Sequence, residues 1–262
     1  MPWVFKGLRN GILTTRWPKR ADDYFDSFPA AVSVIGGPPG TTFARAAAVC
    51  PTGAISAEPL PRVDRGRCIL CGRCVQTAPD WFAWQPGAAT ATLSRRALVV
   101  GDVEETDEAL AELRVSLARR VRWLRRSVHL RHIDTGSDGS DEWEIEALTN
   151  PVYDLHRLGI FFTASPRHAD ILLVTGIGAA GMVEPLRRTL EAMPNPTVVI
   201  AVGTDAVSGG LIGGGYTGGD GVGDLVPVDV WIPGSPASPF SILHGILLAL
   251  GRVPARGVGG TR

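Results

Sequence analysis

All four cysteines of this 262-residue chain lie between positions 50 and 74, at Cys50, Cys68, Cys71 and Cys74. A disulfide framework spreads its cysteines across a fold, and a reducing cytoplasm keeps thiols free. Clustering at tight spacing points to a metal instead. Cys68-Ile-Leu-Cys71-Gly-Arg-Cys74 has the spacing C-x2-C-x2-C, which lets three thiolates wrap around one corner of a cubane cluster. A zinc site more often pairs two separated C-x2-C knuckles around a single ion.

In bacterial ferredoxins the run C-x2-C-x2-C-x3-C-P gives its fourth cysteine to the other cluster of a two-cluster protein. Here the fourth position of the run is Ala78, followed by Pro79. Upstream, Cys50-Pro51 resembles the end of a first run, whose remaining cysteines would stand at 40, 43 and 46. Those positions hold Gly40, Phe43 and Ala46. The four missing ligands belong to one and the same cluster, and the four remaining cysteines form the complete set of the other. The expectation is one [4Fe–4S] cluster on Cys50, Cys68, Cys71 and Cys74, with a zinc knuckle as the alternative.

Other features bound the surroundings of such a cluster. Lys and Arg together number 26 and Asp and Glu 26, so no global field invites nucleic acid, and none is expected as a partner. The longest apolar run, 242–250, is interrupted by His244 and Gly245 and falls short of the ~18 residues of a membrane span. The opening MPWVFKGLRNGILTTRWPKR lacks the apolar core and cleavage site of a secretory signal.

The pattern divides into five stretches. Residues 1–25 read as an amphipathic helix, with Trp3, Phe5, Leu8 and Ile12 near one face among Lys6, Arg9, Arg16, Lys19 and Arg20. Such a segment can dock on a membrane interface or a membrane subunit, or pack on its own domain. In the docking reading, removal of residues 1–20 should leave the rest folded. Residues 26–103 form an α+β ferredoxin-like module with short strands around Ile55 and Val99. Residues 104–127 form a linker helix, acidic at its start and rich in arginine (119, 120, 122, 125, 126) at its end, as the helix dipole favours. Residues 128–252 alternate β-branched apolar runs (128–133, 160–163, 171–174, 197–202, 228–232) with helices at 182–192 and 240–250, which predicts a doubly wound α/β domain with a parallel sheet. Residues 253–262 are expected to be a flexible tail.

A Gly176-Ile-Gly178-Ala-Ala-Gly181 stretch follows the third of these strands and precedes a helix, with Asp205 after the next strand. This is the dinucleotide-binding pattern in its proper context, and a nucleotide-binding reductase subunit is therefore one reading. No nucleophile or acid–base constellation stands out, and no catalytic residue is assigned.

Several blocks carry a family resemblance: 129–137 (HLRHIDTGS), 147–155 (ALTNPVYDL), 164–176 (ASPRHADILLVTG), 191–194 (EAMP) and 228–234 (VDVWIPG). Together they resemble the small subunit of membrane-bound, energy-converting [NiFe]-hydrogenases and the related 20-kDa-type subunit of respiratory complex I. The N-terminal half, from its opening Trp3-Val-Phe-Lys-Gly-Leu-Arg-Asn-Gly-Ile, is similar to the ferredoxin-type subunit of the same complexes. The resemblance implies a flavodoxin-like C-terminal fold, a hydrogenase-type large subunit and an integral membrane subunit as partners, and a peripheral position on the cytoplasmic side of the membrane. It also implies a proximal [4Fe–4S] cluster in the C-terminal half, but the stretches that carry its cysteines in the family read 137–144 (SDGSDEWE), Gly203-Thr-Asp205 and Pro233-Gly-Ser235-Pro236 here. Hard oxygen ligands suit a cubane poorly, so that cluster is expected to be absent. Its place should hold side chains or water, with Trp143 a candidate filler, and Asp205 should face water, accept backbone N–H bonds, or pair with a cation such as Arg167 or His168. Two functions follow from the resemblance: an electron-transfer subunit with one cluster, or a non-redox scaffold or coupling subunit.

Overall fold

The computed structural model describes all residues except 1–2, 21, 37–41, 58–60, 101–105, 125–126 and 254–262. Gly40, Arg125, Arg126 and the expected tail beyond Val253 thus lie outside the described residues. In chain order the elements are α1 (Trp3–Asn10), α2 (Asp23–Ser27), β1 (Pro29–Val34), α3 (Thr42–Ala48), β2 (Ile55–Ser56), β3 (Arg62–Asp64), α4 (Arg73–Thr77), β4 (Phe82–Pro86), β5 (Val99–Val100), α5 (Asp107–Val121), β6 (Val128–Asp134), α6 (Ser140–Ala147), β7 (Ile160–Phe162), β8 (Ile171–Thr175), α7 (Val183–Glu191), β9 (Val198–Val202), α8 (Gly203–Ser208), β10 (Val230–Ile232) and α9 (Pro239–Ala249).

The C-terminal half is built on a five-stranded parallel sheet in the order β10-β9-β8-β6-β7. Counted from β6 this is 2-1-3-4-5, the doubly wound order of flavodoxin-type sheets. The β-branched runs form the central strands because both faces are covered: β8 and β9 are buried at every position. One face packs on α5, α6 and α9 through Leu117, Ile145, Leu243 and Ile246. The other packs on α7 and the α8 loop through Leu186, Ala206 and Val207. Polar residues of the sequence blocks stitch the strands at their amino ends. Asp170 accepts from His129 N–H at 2.8 Å. Asp229 accepts from Val199 N–H at 2.9 Å and pairs with Arg120 of α5. Thr106 caps α5 by accepting from Ala109 N–H at 3.2 Å.

The N-terminal half contains two small antiparallel sheets, β1-β4 and β2-β3-β5, around a core of Val32, Phe43, Val63 and Phe82. Its chain then crosses to the larger sheet. Thr92 and Trp231 exchange two backbone hydrogen bonds, of 2.9 and 2.8 Å, and Ala91 and Leu93 join the α9-side core.

The single amphipathic helix expected over 1–25 is confined to α1, which buries none of its residues. The following segment is structural. Thr15 is buried and its N–H donates to Val152 at 2.8 Å. Trp17 stacks on Phe25 with centroids 4.9 Å apart, and both pack against Phe240 of α9. Cutting at residue 20 therefore removes core contacts. The separation expected between docking segment and folded body falls between α1 and Thr14, whose hydroxyl donates to Pro151 O at 2.7 Å. Among the described residues no helix is long and apolar enough to cross a membrane.

Candidate metal centre

Cys50, Cys68, Cys71 and Cys74 line one pocket, walled by Val32, Ile55 and Val63. The local backbone arranges this. Cys50 follows α3, and its Sγ accepts from Ala54 N–H at 3.3 Å. Between Cys68 and Cys74 the chain turns through Leu70 and Gly72, both with positive φ (54° and 72°). A non-glycine residue in that region is uncommon and marks a loop held by its surroundings. Cys74 is buried on α4, Cys71 is exposed, and Cys50 and Cys68 are intermediate. Burial pushes the Cys68 thiol up to about 11, with the other three cysteines adding to the shift, and burial likewise raises Cys74. Ionising these sulfurs requires a compensating positive charge, which a bound metal centre supplies. Four thiols in an apolar pocket, one of them already accepting a backbone N–H, fit an iron–sulfur cluster. Among the described residues no three His, Cys, Asp or Glu side chains converge on a single-ion site.

Three of the four positions where a second ferredoxin cluster would be ligated are packed. Phe43, Ala46 and Ala78 all belong to the N-terminal core, at 4%, 0% and 0% exposure. The ring of Phe43 lies 5.2 Å from Trp81 and 5.3 Å from Phe82.

The cysteine loop sits against the carboxyl ends of β9 and β10. Thr204 of α8 donates its hydroxyl to Cys68 O at 3.3 Å and accepts from Gly234 N–H at 3.2 Å. Ser208 donates to Gly66 O at 2.9 Å. The three C-terminal loops do meet, but Trp143 does not fill the space between them, being 74% exposed on the outer side of α6. Asp141 occupies it. This carboxyl is 3% exposed, accepts from Ala237 N–H at 2.9 Å, and lies so close to Gly203 that a Cβ there would come within 1.8 Å of it. A helix places its residues by turn, so with α6 starting at Ser140 the adjacent Asp141 turns inward while Trp143 faces outward. Ser235 is exposed. Asp205 makes no ion pair with Arg167 or His168 among the described residues; burial, then Asp138 and Glu142, push it up to about 6.

Burial, followed by the neighbouring carboxylates Asp205, Glu142 and Asp138, raises Asp141 to about 8, despite the bond from Ala237. Glu142 goes the other way: hydrogen bonds from His132, Thr175 and Ser137 outweigh its burial and bring it to about 2. A carboxyl raised on folding stabilises most below its unfolded pKa and loses that contribution as pH rises through the folded one. Wild-type stability should therefore fall, relative to Asp141→Asn, by up to about 1.4 kcal/mol per pH unit between pH 5 and 7.5. Paired unfolding measurements at the two pH values check this. A constant difference would mean that Asp141 is ionised in the folded protein.

The glycine motif is spent on packing. The N–H groups of Ile177, Gly178, Ala179 and Ala180 donate to Gly136 O, Thr135 Oγ1, Thr135 O and Thr217 O. A Cβ on Gly176 would stand 2.7 Å from Gly136. These four amides are engaged, and Gly176 and Gly178 are covered by neighbouring loops, so none of them is available to a pyrophosphate; Gly181 is open.

Residues 139–249 match the family described as NADH ubiquinone oxidoreductase, 20 Kd subunit, and residues 62–115 match a 4Fe-4S single cluster domain, which includes Cys68, Cys71 and Cys74 but not Cys50. A probable membrane-bound hydrogenase subunit of Pyrococcus furiosus is 37% identical over 134 residues, covering 51% of this chain and 80% of that subunit. The chain belongs to the 20 Kd subunit family. Formate hydrogenlyase subunit 7 of Escherichia coli is 38% identical over 157 residues, covering 58% of this family member but only 60% of that subunit's length. An uncharacterized protein of Methanocaldococcus jannaschii is 41% identical over 123 residues, covering 47% of the chain and 82% of the relative.

Proposed function

We propose that this family member is the iron–sulfur electron-transfer subunit in the peripheral arm of a membrane-bound, complex I-like or hydrogenase-related oxidoreductase, with one [4Fe–4S] cluster on Cys50, Cys68, Cys71 and Cys74 and no proximal cluster. The observation that carries this reading is the gathering of four thiols at one pocket while Phe43, Ala46 and Ala78 form packed core. A cubane gives each thiolate its own iron, so its ligands need not converge on a point as those of zinc must. The cluster supplies one-electron chemistry when bound. The chain's own residues hold it in an apolar pocket, keep Cys71 at the surface where a redox partner can approach, and fix the Cys68 loop on α8 through Thr204.

The same reading divides the chain into an N-terminal docking segment, a ferredoxin-like module to residue 103, a linker helix and a C-terminal domain over 128–252. The names of the two relatives, a formate hydrogenlyase subunit and a membrane-bound hydrogenase subunit, support a large hydrogenase-type subunit and an integral membrane subunit as partners on the cytoplasmic side. Protein purified anaerobically should carry about four irons and about four labile sulfides per chain, reducible by one electron. Stoichiometric zinc without sulfide would refute the cluster.

One observation favours a second reading, a scaffold or coupling subunit: Asp141 occupies the junction through which the family's proximal cluster would connect to the large subunit. Potentiometric titration separates the two. A cluster that stays in one oxidation state across the range set by hydrogen and NADH would leave the scaffold reading standing.

Docking by α1 has its own test. Its Trp3, Phe5 and Leu8 are exposed and none of its residues is buried. Deleting residues 1–12 should deplete the chain from the membrane fraction without moving its unfolding midpoint. Unchanged membrane retention would remove α1 from the interface.

A further inference from the structure

Arg65 lies on the turn after β3, three residues before Cys68, and is 6% exposed. Its side chain lines a small cavity with Cys68, Leu70, Ala31, Pro233 and Gly234, between the cysteine loop and the carboxyl end of β10. One guanidinium nitrogen, Nη2, donates to Gln85 Oε1 at 3.0 Å, an oxygen that also accepts from Ser33 at 2.9 Å. Nε and Nη1 are buried without a hydrogen-bond partner among the described residues. The adjacent acid is taken: Asp64 holds Arg95 through two bonds of 2.8 and 2.7 Å. Arg65 is thus a buried cation, tied to one neutral amide, with no ion pair to a carboxylate among the described residues.

A buried charge persists in a fold only when something of opposite sign compensates it. Burial lowers Arg65 to about 10, which still leaves it charged at neutral pH, and the cysteine whose charge bears on it is Cys68. A cubane held by four thiolates carries net negative charge and gains another on reduction. Arg73, by contrast, also lines the cysteine pocket but is exposed, where water and salt screen it.

We propose that Arg65 is the counter-cation of the cluster on Cys50, Cys68, Cys71 and Cys74, and that it raises the cluster's reduction potential by favouring the more negative, reduced state. Arg65 is a positioning residue here: it touches no reacting atom and acts through its charge in a low-dielectric setting. The proposal rests on the single-cluster reading above.

The test is a potentiometric titration of the full, anaerobically loaded chain followed by electron paramagnetic resonance, with iron and sulfide counted in every sample. Arg65→Gln should retain wild-type cluster content while its reduction equilibrium moves at least tenfold toward the oxidised form, which is about 59 mV for one electron. Arg65→Lys should recover most of that shift. Gln85→Glu keeps the arginine and its packing but sets a carboxylate against Nη2, and should lower the potential in the same direction. A loaded Arg65→Gln or Gln85→Glu protein with an unchanged potential would overturn the role of Arg65 alone. Loss of the cluster from both variants would overturn it too, making Arg65 a folding element. Wild-type protein that takes up no iron and sulfide would overturn the cluster assignment itself.

Discussion

Cys50→Ser is expected to lose the cluster as completely as Cys71→Ser. Cys50 stands far from the C-x2-C-x2-C run, and the matched single-cluster domain begins at residue 62, beyond it. In the fold, however, Cys50 lines the same pocket as the other three and has its sulfur already accepting Ala54 N–H. Three thiolates leave one iron of a cubane without a protein ligand, and the corner so exposed is open to water and oxidants. Iron and sulfide content after anaerobic purification should fall to background in both variants, with the broad visible absorption of the cluster gone. Wild-type iron in the Cys50 variant would remove it from the ligand set and would require a fourth ligand from elsewhere in the chain.

The second large effect is on stability. Phe240, 1% exposed at the first turn of α9, is ringed by Trp17, Phe25, Phe28 and Tyr153, with centroid separations of 6.1, 5.5, 5.9 and 5.0 Å. Three of the four come from the N-terminal segment, so this ring joins residues 17–28 to the C-terminal sheet layer. Phe240→Ala removes buried area and leaves a cavity that the four surrounding rings cannot easily collapse into, at a cost of about 3–5 kcal/mol. For a chain of this size the unfolding midpoint should drop by roughly 10 °C. Phe5→Ala, on the exposed face of α1, should shift it within about 0.5 kcal/mol. Equal small effects at both positions would mean that the N-terminal segment is not part of the folded core.

Much of the architecture is written in local pattern. The five parallel strands coincide with the runs read from the sequence; β8, β9 and β10 are buried at every position, as strands covered on both faces are, whereas β6 carries His129, Arg131 and His132 and β7 is partly buried. Helices α5, α7 and α9 follow for the same reason, each with a charged or apolar periodicity of its own. Strands β1 and β4 were not legible, since their pairing joins residues far apart in the chain, from Val34 with Phe82 to Pro29 with Pro86, and neither carries a strict alternation. Helix α8 begins at Gly203, directly at the end of β9, with no sequence break to mark it.

At the candidate site, the spacing of Cys68, Cys71 and Cys74 and the non-cysteine residues at 43, 46 and 78 were readable from the chain alone, because such a loop is a covalent pattern of a few residues. Spacing alone could not say which side chain closes the junction of the C-terminal loops. Asp141, not the bulkier Trp143, enters it, because the phase of α6 and the absence of a side chain at Gly203 decide where there is room. Nor could it say that Gly176 and Gly178 pack against loops 134–137 and 217–225, or that Arg65 is stranded beside Cys68 because Asp64 is held by Arg95. The sequence by itself determined the cysteine spacing and the strands of the sheet, both of which depend on neighbours along the chain. The tertiary structure decided which side chain enters the junction of the C-terminal loops and which charges stand next to the cysteines, because burial and pairing are set by segments that meet only once the chain is folded.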